Sequence, residues 1–238
     1  MYEMEEQQVK QEFIRIFSEM NILFSQSLPV YENTLQALTG VVQTNADYAV
    51  IALASLNLKS FNSAYDRLSK GYMNDSEAIF KKTIEAFIAE AYFHEHADEA
   101  ERYMNGESID RITNRGNMVD DLDRIQATRQ IFPTDYPGFF REYIYTVGYT
   151  NSNSVAHLDF NHVHRELGLE DDPTMWATTM VLGPRFHEEY MRTVFNRLIM
   201  FCMFQISYII HTYTLQQTDE FKSVFSEVRR LLDPVGNQ

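Results

Sequence analysis

The sequence predicts an all-α protein that folds as a single multi-helix, up-and-down bundle. Three long stretches, residues 41–70, 72–105 and 185–233, contain neither glycine nor proline. Strands typically last about five or six residues, so uninterrupted stretches of this length favour helices. Within them, apolar side chains recur at steps of three and four residues, which is the spacing that lines one face of a helix.

The N-terminal half is predicted to form several helices separated by proline and glycine. Pro29 and Gly40 are expected to divide the first part of the chain, whose apolar face consists of Phe13, Phe17, Met20 and Phe24. The next helix has Asn57 as the one polar exception on a face made by Val50, Ala54, Phe61, Ala64 and Leu68. Asn74 or Asp75 can cap a further helix, whose apolar stripe consists of Phe80, Ile84, Phe87, Ile88 and Ala91.

The remaining pattern is less regular. Residues 97–104 either continue the preceding helix or form a short one that ends at Asn105-Gly106. A polar helix is predicted over 107–130, weaker helical patterns follow up to Gly148 and over Ser154–Leu167, and a loop is predicted from Leu169 to Pro184. Pro184 is expected in the first turn of the next helix.

The last part of the chain is predicted to form two helices. The apolar segment Leu198–Ile210 is too short to cross a bilayer, which needs about 20 residues, so we expect a buried helix there. An amphipathic helix is predicted over 217–232. The length, and the absence of a long linker, predict one domain, residues 1–238, which includes the C-terminal helices of 184–232.

The charge of the chain limits its partners. The sequence has 34 Asp and Glu against 20 Lys and Arg, a net charge of −14. Binding to RNA or to an anionic membrane depends on clustered basic residues, so this balance disfavours RNA and predicts no membrane association. Cys202 is the only cysteine, which excludes an internal disulfide, and the N-terminus shows no signal peptide. We therefore expect a cytoplasmic protein.

Common catalytic motifs are absent from the sequence. It contains neither a Gly-x-Ser-x-Gly elbow nor a glycine-rich phosphate loop, and Cys202 lies in the most apolar segment, where a thiolate is costly. Two pairs spaced four residues apart, Glu90 with His94 and His162 with Glu166, could each offer a metal two ligands. No Glu-x-x-His pair accompanies them, which disfavours a di-iron bundle. No cofactor and no metal are predicted.

A group of polar residues on two predicted helices is a second candidate for a functional site. Lys82 and Glu85 lie three residues apart between apolar neighbours, so we expect both to be partly buried. Ser154 and His157 share one face of a predicted helix. If the Glu85 carboxylate lies beside the His157 imidazole, it raises the pKa of that ring, which could then exchange protons near neutral pH. The alternative is a buried polar network that joins two helices.

These residues carry a family resemblance. The run EAIFKKTIEAFIAEAYFHEHADEAERYMNG, followed some fifty residues later by SVAH, resembles an uncharacterised bacterial all-helical family of HEPN type. The matching positions, within about residues 45–165, are Lys82, Glu85, Tyr103, Ser154 and His157. Lys82 stands where Arg is expected, and Lys cannot pair with a carboxylate in the bidentate way that Arg does.

The resemblance to HEPN ribonucleases implies an Arg, a polar residue and a His, paired across a dimer to cleave RNA without metal. With His157 as that His, Asn153 takes the polar position, but Ser152 stands in place of the Arg. The motif is therefore degenerate, because the guanidinium that would stabilise the transition state is missing. Arg165 or Arg185 could replace it only from elsewhere in the fold.

The resemblance thus implies a binding or regulatory module with a degenerate ribonuclease motif, in bacterial phage defence or a toxin–antitoxin system. A homodimer or another protein partner is expected. The first alternative is a metal-independent endoribonuclease with His157 as general acid and base, assisted by Asn153. A weaker alternative is a metal-dependent helical-bundle hydrolase.

Overall fold

The computed structural model describes residues 2–113, 184 and 186–232. No strand occurs in this part of the chain, and the predicted all-α class is confirmed there. The helices, in chain order, are α1 (Tyr2–Ile16), α2 (Ser18–Thr39), α3 (Asn45–Ser69), α4 (Met73–Glu95), α5 (Ala97–Met104), α6 (Ile109–Ile112), α7 (Glu188–Thr212) and α8 (Asp219–Leu232).

Helices α1 and α2 form an almost continuous rod. The helix-type hydrogen bonds continue through the break at Phe17, whose N–H donates to the carbonyl of Phe13 at 2.9 Å. Gly40 ends α2 as predicted, but the expectation that Pro29 divides this region is wrong. Pro29 is exposed, while the next two residues, Val30 and Tyr31, are buried. Their packing keeps the helix intact although proline removes one of its hydrogen bonds.

Helices α3 and α4 form an antiparallel hairpin, the most extensive helix pair in the described residues. Thr44 and Asp47 form a capping box at the start of α3. Gly71, at φ +89°, makes the turn into α4, and the Ser76 hydroxyl then donates to the carbonyl of Ala64 at 2.8 Å. The apolar stripes predicted for both helices are confirmed, because every member is buried.

Helix α5 is a separate short helix rather than a continuation of α4. It ends at Asn105-Gly106, where Gly106 adopts a φ of +91°, as the sequence predicted. Arg102 and Glu107 form an ion pair beside this turn. Of the polar helix predicted over 107–130, the structure describes residues 107–113, of which Ile109–Ile112 are helical and Thr113 is extended. The patterns in 138–183 lie outside the described residues.

Helix α7 is the central helix of the described core. Its segment Leu198–Ile210 is buried except for the half-buried Ser207, and it packs against α2, α3 and α4. It begins at Glu188, so the prediction of Pro184 in its first turn is wrong. The reason is His187, whose Nδ1 accepts the N–H of Tyr190 at 3.2 Å and caps the helix at that point.

Helix α7 is also the one helix in the described part of the chain that is long and apolar enough to span a membrane. Its most apolar 18-residue window has a mean hydropathy of 1.5, but 89% of that window is buried inside the protein. Such burial is typical of the core helix of a soluble protein. The prediction of a buried helix there is confirmed.

Helix α8 packs across α2 and α7 with one apolar face. Phe221, Val224 and Val228 are buried, whereas Lys222, Ser223 and Ser226 are exposed. The Thr218 hydroxyl accepts the N–H of Phe221 at 3.1 Å and caps the first turn. The predicted amphipathic helix is confirmed.

Candidate functional site

The structure describes two of the five predicted site residues. Lys82 lies on the exposed side of α4 and Glu85 is half-buried, so the expected partial burial holds for Glu85 only. The reason is that Thr83, Ile84 and Phe87 occupy the core side of this helix. Asn153, Ser154 and His157 lie outside the described residues. The proximity of Glu85 to His157 therefore stays a prediction.

A different pair of polar residues lies at the centre of the described core. Glu90 on α4 and Gln205 on α7 are both completely buried. The Gln205 amide Nε2 donates a hydrogen bond to Glu90 Oε2 at 2.6 Å. We call this pair, with Tyr31 beside it, the polar centre. It joins two long helices by a bond between residues 115 positions apart in the chain.

The surroundings of Glu90 in the polar centre disfavour its charged form. Burial raises the pKa of this carboxyl well above its usual range, and the hydrogen bond from Gln205 offsets only part of the rise. Burial likewise raises the pKa of Tyr31, and the neighbouring Glu90 and Cys202 raise it further. The Tyr31 hydroxyl donates to the carbonyl of Ala54 at 3.1 Å. Burial therefore disfavours the ionised form of both Glu90 and Tyr31.

The burial of Glu90 affects the alternative of a metal-dependent hydrolase. A glutamate binds a metal ion as a carboxylate, and forming that carboxylate here means charging a completely buried group whose pKa burial raises. Within the described ranges, no group of three or more His, Cys, Asp or Glu side chains could hold a metal ion. His94, the second half of the pair predicted with Glu90, instead has its Nδ1 at 3.3 Å from the Tyr213 hydroxyl.

His94 belongs to a polar cluster at one end of the bundle, near the N-terminus of α3 and the C-termini of α4 and α7. Tyr213 lies between His94 and Asp47, and its interaction with the Asp47 carboxylate raises the pKa of Tyr213 beyond the rise that burial causes. Partial burial would raise the pKa of Asp47, but hydrogen bonds from Thr44, Gln43 and Tyr213 outweigh it and lower that pKa. The cluster is half-buried and reaches toward solvent.

Two further buried groups lie on α4 and α7. Glu77 and Arg197, on opposite helices, are almost fully buried, and Arg197 Nη1 lies 4.0 Å from Glu77 Oε1. Cys202 is completely buried, and burial raises the pKa of its thiol, which leaves it protonated and unreactive. The expectation of an inert Cys202 thus agrees with its surroundings.

Sequence reasoning missed the polar centre, although two signals pointed to it. Glu90 lies within the apolar run Phe87–Phe93, and Gln205 is one of two polar residues in Leu198–Ile210. Each signal marks a buried polar residue, but neither identifies its partner. Asn57, the polar exception on α3, is a third case: it is completely buried, and neither atom of its side-chain amide has a hydrogen-bond partner in the described residues.

The outer face of α3 shows the opposite feature, apolar side chains in solvent. Tyr48 is 54% exposed and Leu56 is 52% exposed, and the exposed Ala52 lies midway between them. The three residues are spaced four apart and therefore lie in one row along the helix. We call this row the α3 ridge. No charged residue occurs from Tyr48 to Leu58.

No family model, no curated protein and no solved structure matches this chain. The HEPN-like resemblance therefore continues to depend on the short motifs in the sequence.

Proposed function

We propose that the protein is a HEPN-like helical binding or regulatory module that pairs with a second copy of itself through the α3 ridge. The observation that supports this proposal is the row of exposed apolar side chains on a helix that otherwise packs into the core. Exposed apolar patches on soluble proteins commonly mark sites of protein association. Glu90 and Cys202 are completely buried, which suits a structural role better than a catalytic one.

The spacing of the α3 ridge favours a second copy as its partner. Tyr48 and Leu56 lie four residues on either side of Ala52. If two copies of α3 cross antiparallel about a two-fold axis at Ala52, the small alanines allow close approach and each Tyr48 faces the other copy's Leu56. Such a self-complementary arrangement is what a two-fold dimer requires.

The charges around the ridge are compatible with this pairing. Two chains of net charge −14 repel each other, but the ridge brings together only uncharged residues. In the antiparallel arrangement the exposed Lys59 lies beside the first turn of the other copy's α3, where Asp47 carries a negative charge. The uncharged stretch covers only about 15 Å of helix, so we expect a weak, micromolar dimer.

A cysteine cross-link tests this arrangement directly. Because Cys202 is buried and protonated, the Ala52→Cys variant has one reactive thiol. Mild oxidation should give a covalent dimer in high yield, since the two-fold axis passes through this position. Ala37→Cys, at an exposed alanine on α2, is the matched control and should remain mostly monomeric. Equal cross-linking of both variants would reject the ridge as the interface.

The ribonuclease alternative has its own test. Purified protein and its His157→Ala variant are incubated with mixed RNA in EDTA, and fragment formation is followed by gel electrophoresis. The binding-module proposal predicts no cleavage that depends on His157. Cleavage by the natural chain but not by the variant would replace the proposal with a metal-independent endoribonuclease. The proposed phage-defence or toxin–antitoxin setting follows from the resemblance alone, and the proposed cytoplasmic location follows from the cysteine content and the N-terminal sequence.

A further inference from the structure

A groove lies between α2 and the first turns of α8, and none of its described lining residues belongs to the polar centre or the α3 ridge. Its volume is about 590 Å³, within the range of small-molecule sites. From Ser25 to Asn33 it follows nine residues of α2, a rise of about 12 Å. The groove is therefore an elongated trough rather than a round pocket.

The base of the trough is apolar. Val30 on α2 and Val224 on α8 are buried beneath it, and the ring of Pro29 lies exposed between the polar side chains of α2. A ligand with a hydrocarbon chain could cover this surface and remove it from water. A compact hydrated ion could not.

The rim at α8 is acidic. Asp219 and Glu220 both line the trough and both are exposed, and no basic residue is present among its described lining residues. Lys222 lies 3.6 Å from Asp219, but the Asp219 side chain is fully exposed, so this ion pair contributes little. The two carboxylates therefore favour a cationic group at this end of the trough.

The α2 side supplies a further hydrogen-bond acceptor. In a regular helix the carbonyl of Ser25 would accept the N–H of residue 29, but Pro29 has no N–H. Ser25 and Pro29 both line the trough. The α2 residues that line the trough thus include one whose carbonyl has no helical donor, Ser25, and one with a side-chain amide, Asn33.

We propose that this trough binds a linear aliphatic polyamine. One ammonium group lies between Asp219 and Glu220, the methylene chain covers Pro29 and the two valines, and a second ammonium group donates to the acceptors on α2. This site is independent of the proposed dimer, because it lies on other helices. It assigns a small-molecule ligand to a surface that the HEPN-like motifs do not include.

Calorimetric titration with spermidine, at physiological salt, tests the proposal. The natural chain should bind one equivalent saturably, and magnesium chloride should not compete at equal charge concentration, because Mg²⁺ cannot use the apolar base. The variant Asp219→Asn/Glu220→Gln should bind at least about tenfold more weakly, a loss of about 1.4 kcal/mol. The control Glu32→Gln/Asp75→Asn makes the same charge change at exposed positions outside the trough and should retain affinity within twofold.

Two results would overturn the proposal. One is the absence of saturable binding by the natural chain. The other is an equal loss of affinity in both double variants, which would mean that spermidine responds only to the net negative charge. Circular dichroism of each variant establishes that α8 is still folded. Because Val224 is buried and Asp219 is not, the amide variants are expected to fold normally.

Discussion

The polar centre and the α3 ridge depart from ordinary burial in opposite directions. One places a carboxyl and an amide in the interior, and the other places a tyrosine and a leucine in solvent. The contrast is sharpest at two consecutive residues of α3, because Leu56 is 52% exposed and Asn57 is completely buried. A buried polar group must find its partner inside the chain, whereas an exposed apolar row can find one only outside it. The first feature should therefore affect folding and the second association.

The largest loss of stability is expected at the polar centre. Gln205→Leu removes the donor to Glu90 and leaves a buried carboxyl without that bond, so the free energy of unfolding should fall by about 1–3 kcal/mol. Urea denaturation measures this change. Gln217→Leu, at an exposed position, is the control and should change stability by less than about 0.5 kcal/mol. If Gln205→Leu and Gln217→Leu changed the free energy of unfolding equally, the polar centre would make no specific contribution to stability.

A double variant distinguishes the contribution of the hydrogen bond between Glu90 and Gln205 from the contribution of side-chain packing. When both partners become apolar, no buried polar group is left unsatisfied, so Glu90→Leu/Gln205→Leu should be more stable than Gln205→Leu alone. The coupling between the two sites should be about 1 kcal/mol or more, measured by a double-mutant cycle in urea. Additive losses would contradict the hydrogen bond as the source of the effect.

Asn57→Leu is expected to raise the free energy of unfolding by about as much as Gln205→Leu lowers it. Neither atom of the Asn57 amide has a hydrogen-bond partner within the described residues, so replacing it with an apolar group of similar volume removes a desolvation penalty. The free energy of unfolding should rise by about 1–3 kcal/mol. The neighbouring Leu56→Asn, at the exposed position, is the matched control and should leave stability nearly unchanged. A loss of stability in Asn57→Leu would show that the Asn57 amide stabilises the fold.

The pH dependence of stability should report the protonation of Glu90. Because its folded-state pKa is raised by burial, the folded chain holds a proton that the unfolded chain releases above about pH 4.3. The stabilisation by neutral Glu90 is complete below that pH and is lost as the pH rises through the folded-state pKa. Glu90→Gln, which stays neutral, should lose less stability than the natural chain between pH 5 and pH 8. Parallel curves in urea denaturation would mean that Glu90 is ionised in the folded protein.

The smallest effect on stability is expected at the α3 ridge. Leu56→Glu places a charge on an exposed position, so unfolding free energy should change by less than about 0.5 kcal/mol. The same variant places a charged glutamate against the other copy's Tyr48 at both ends of the two-fold contact and should weaken dimerisation by about tenfold or more. Ile22→Glu, at a residue 56% exposed on α2, is the control and should dimerise like the natural chain.

The sequence was sufficient to predict features that depend on local periodicity. The stripes of α3 and α4, the end of α5 at Gly106 and the burial of α7 all follow from residues close together in the chain. The partner of Glu90 could not be predicted, since Gln205 lies 115 positions away and only tertiary packing brings it near. The intact helix at Pro29 and the late start of α7 have the same cause, because neighbouring packing and a histidine cap overrode the local signal.

For the candidate site, what the sequence could predict differs from residue to residue. The pattern around Lys82 and Glu85 could place both on α4, but only the packing of Thr83, Ile84 and Phe87 determines that Lys82 faces outward. The α3 ridge was missed because an apolar residue in a helix is normally assigned to the core. Its exposure becomes visible only when the faces occupied by α2, α4 and α5 are known.

Sedimentation equilibrium on the natural chain, Leu56→Glu and Gln205→Leu compares the two regions most directly. We predict a concentration-dependent dimer for the natural chain and for Gln205→Leu, studied well below its unfolding transition, and a monomer for Leu56→Glu at the same concentrations. A dimer of unchanged strength in Leu56→Glu would contradict the assignment of association to the α3 ridge. A monomeric natural chain at all concentrations would contradict the proposed dimer itself.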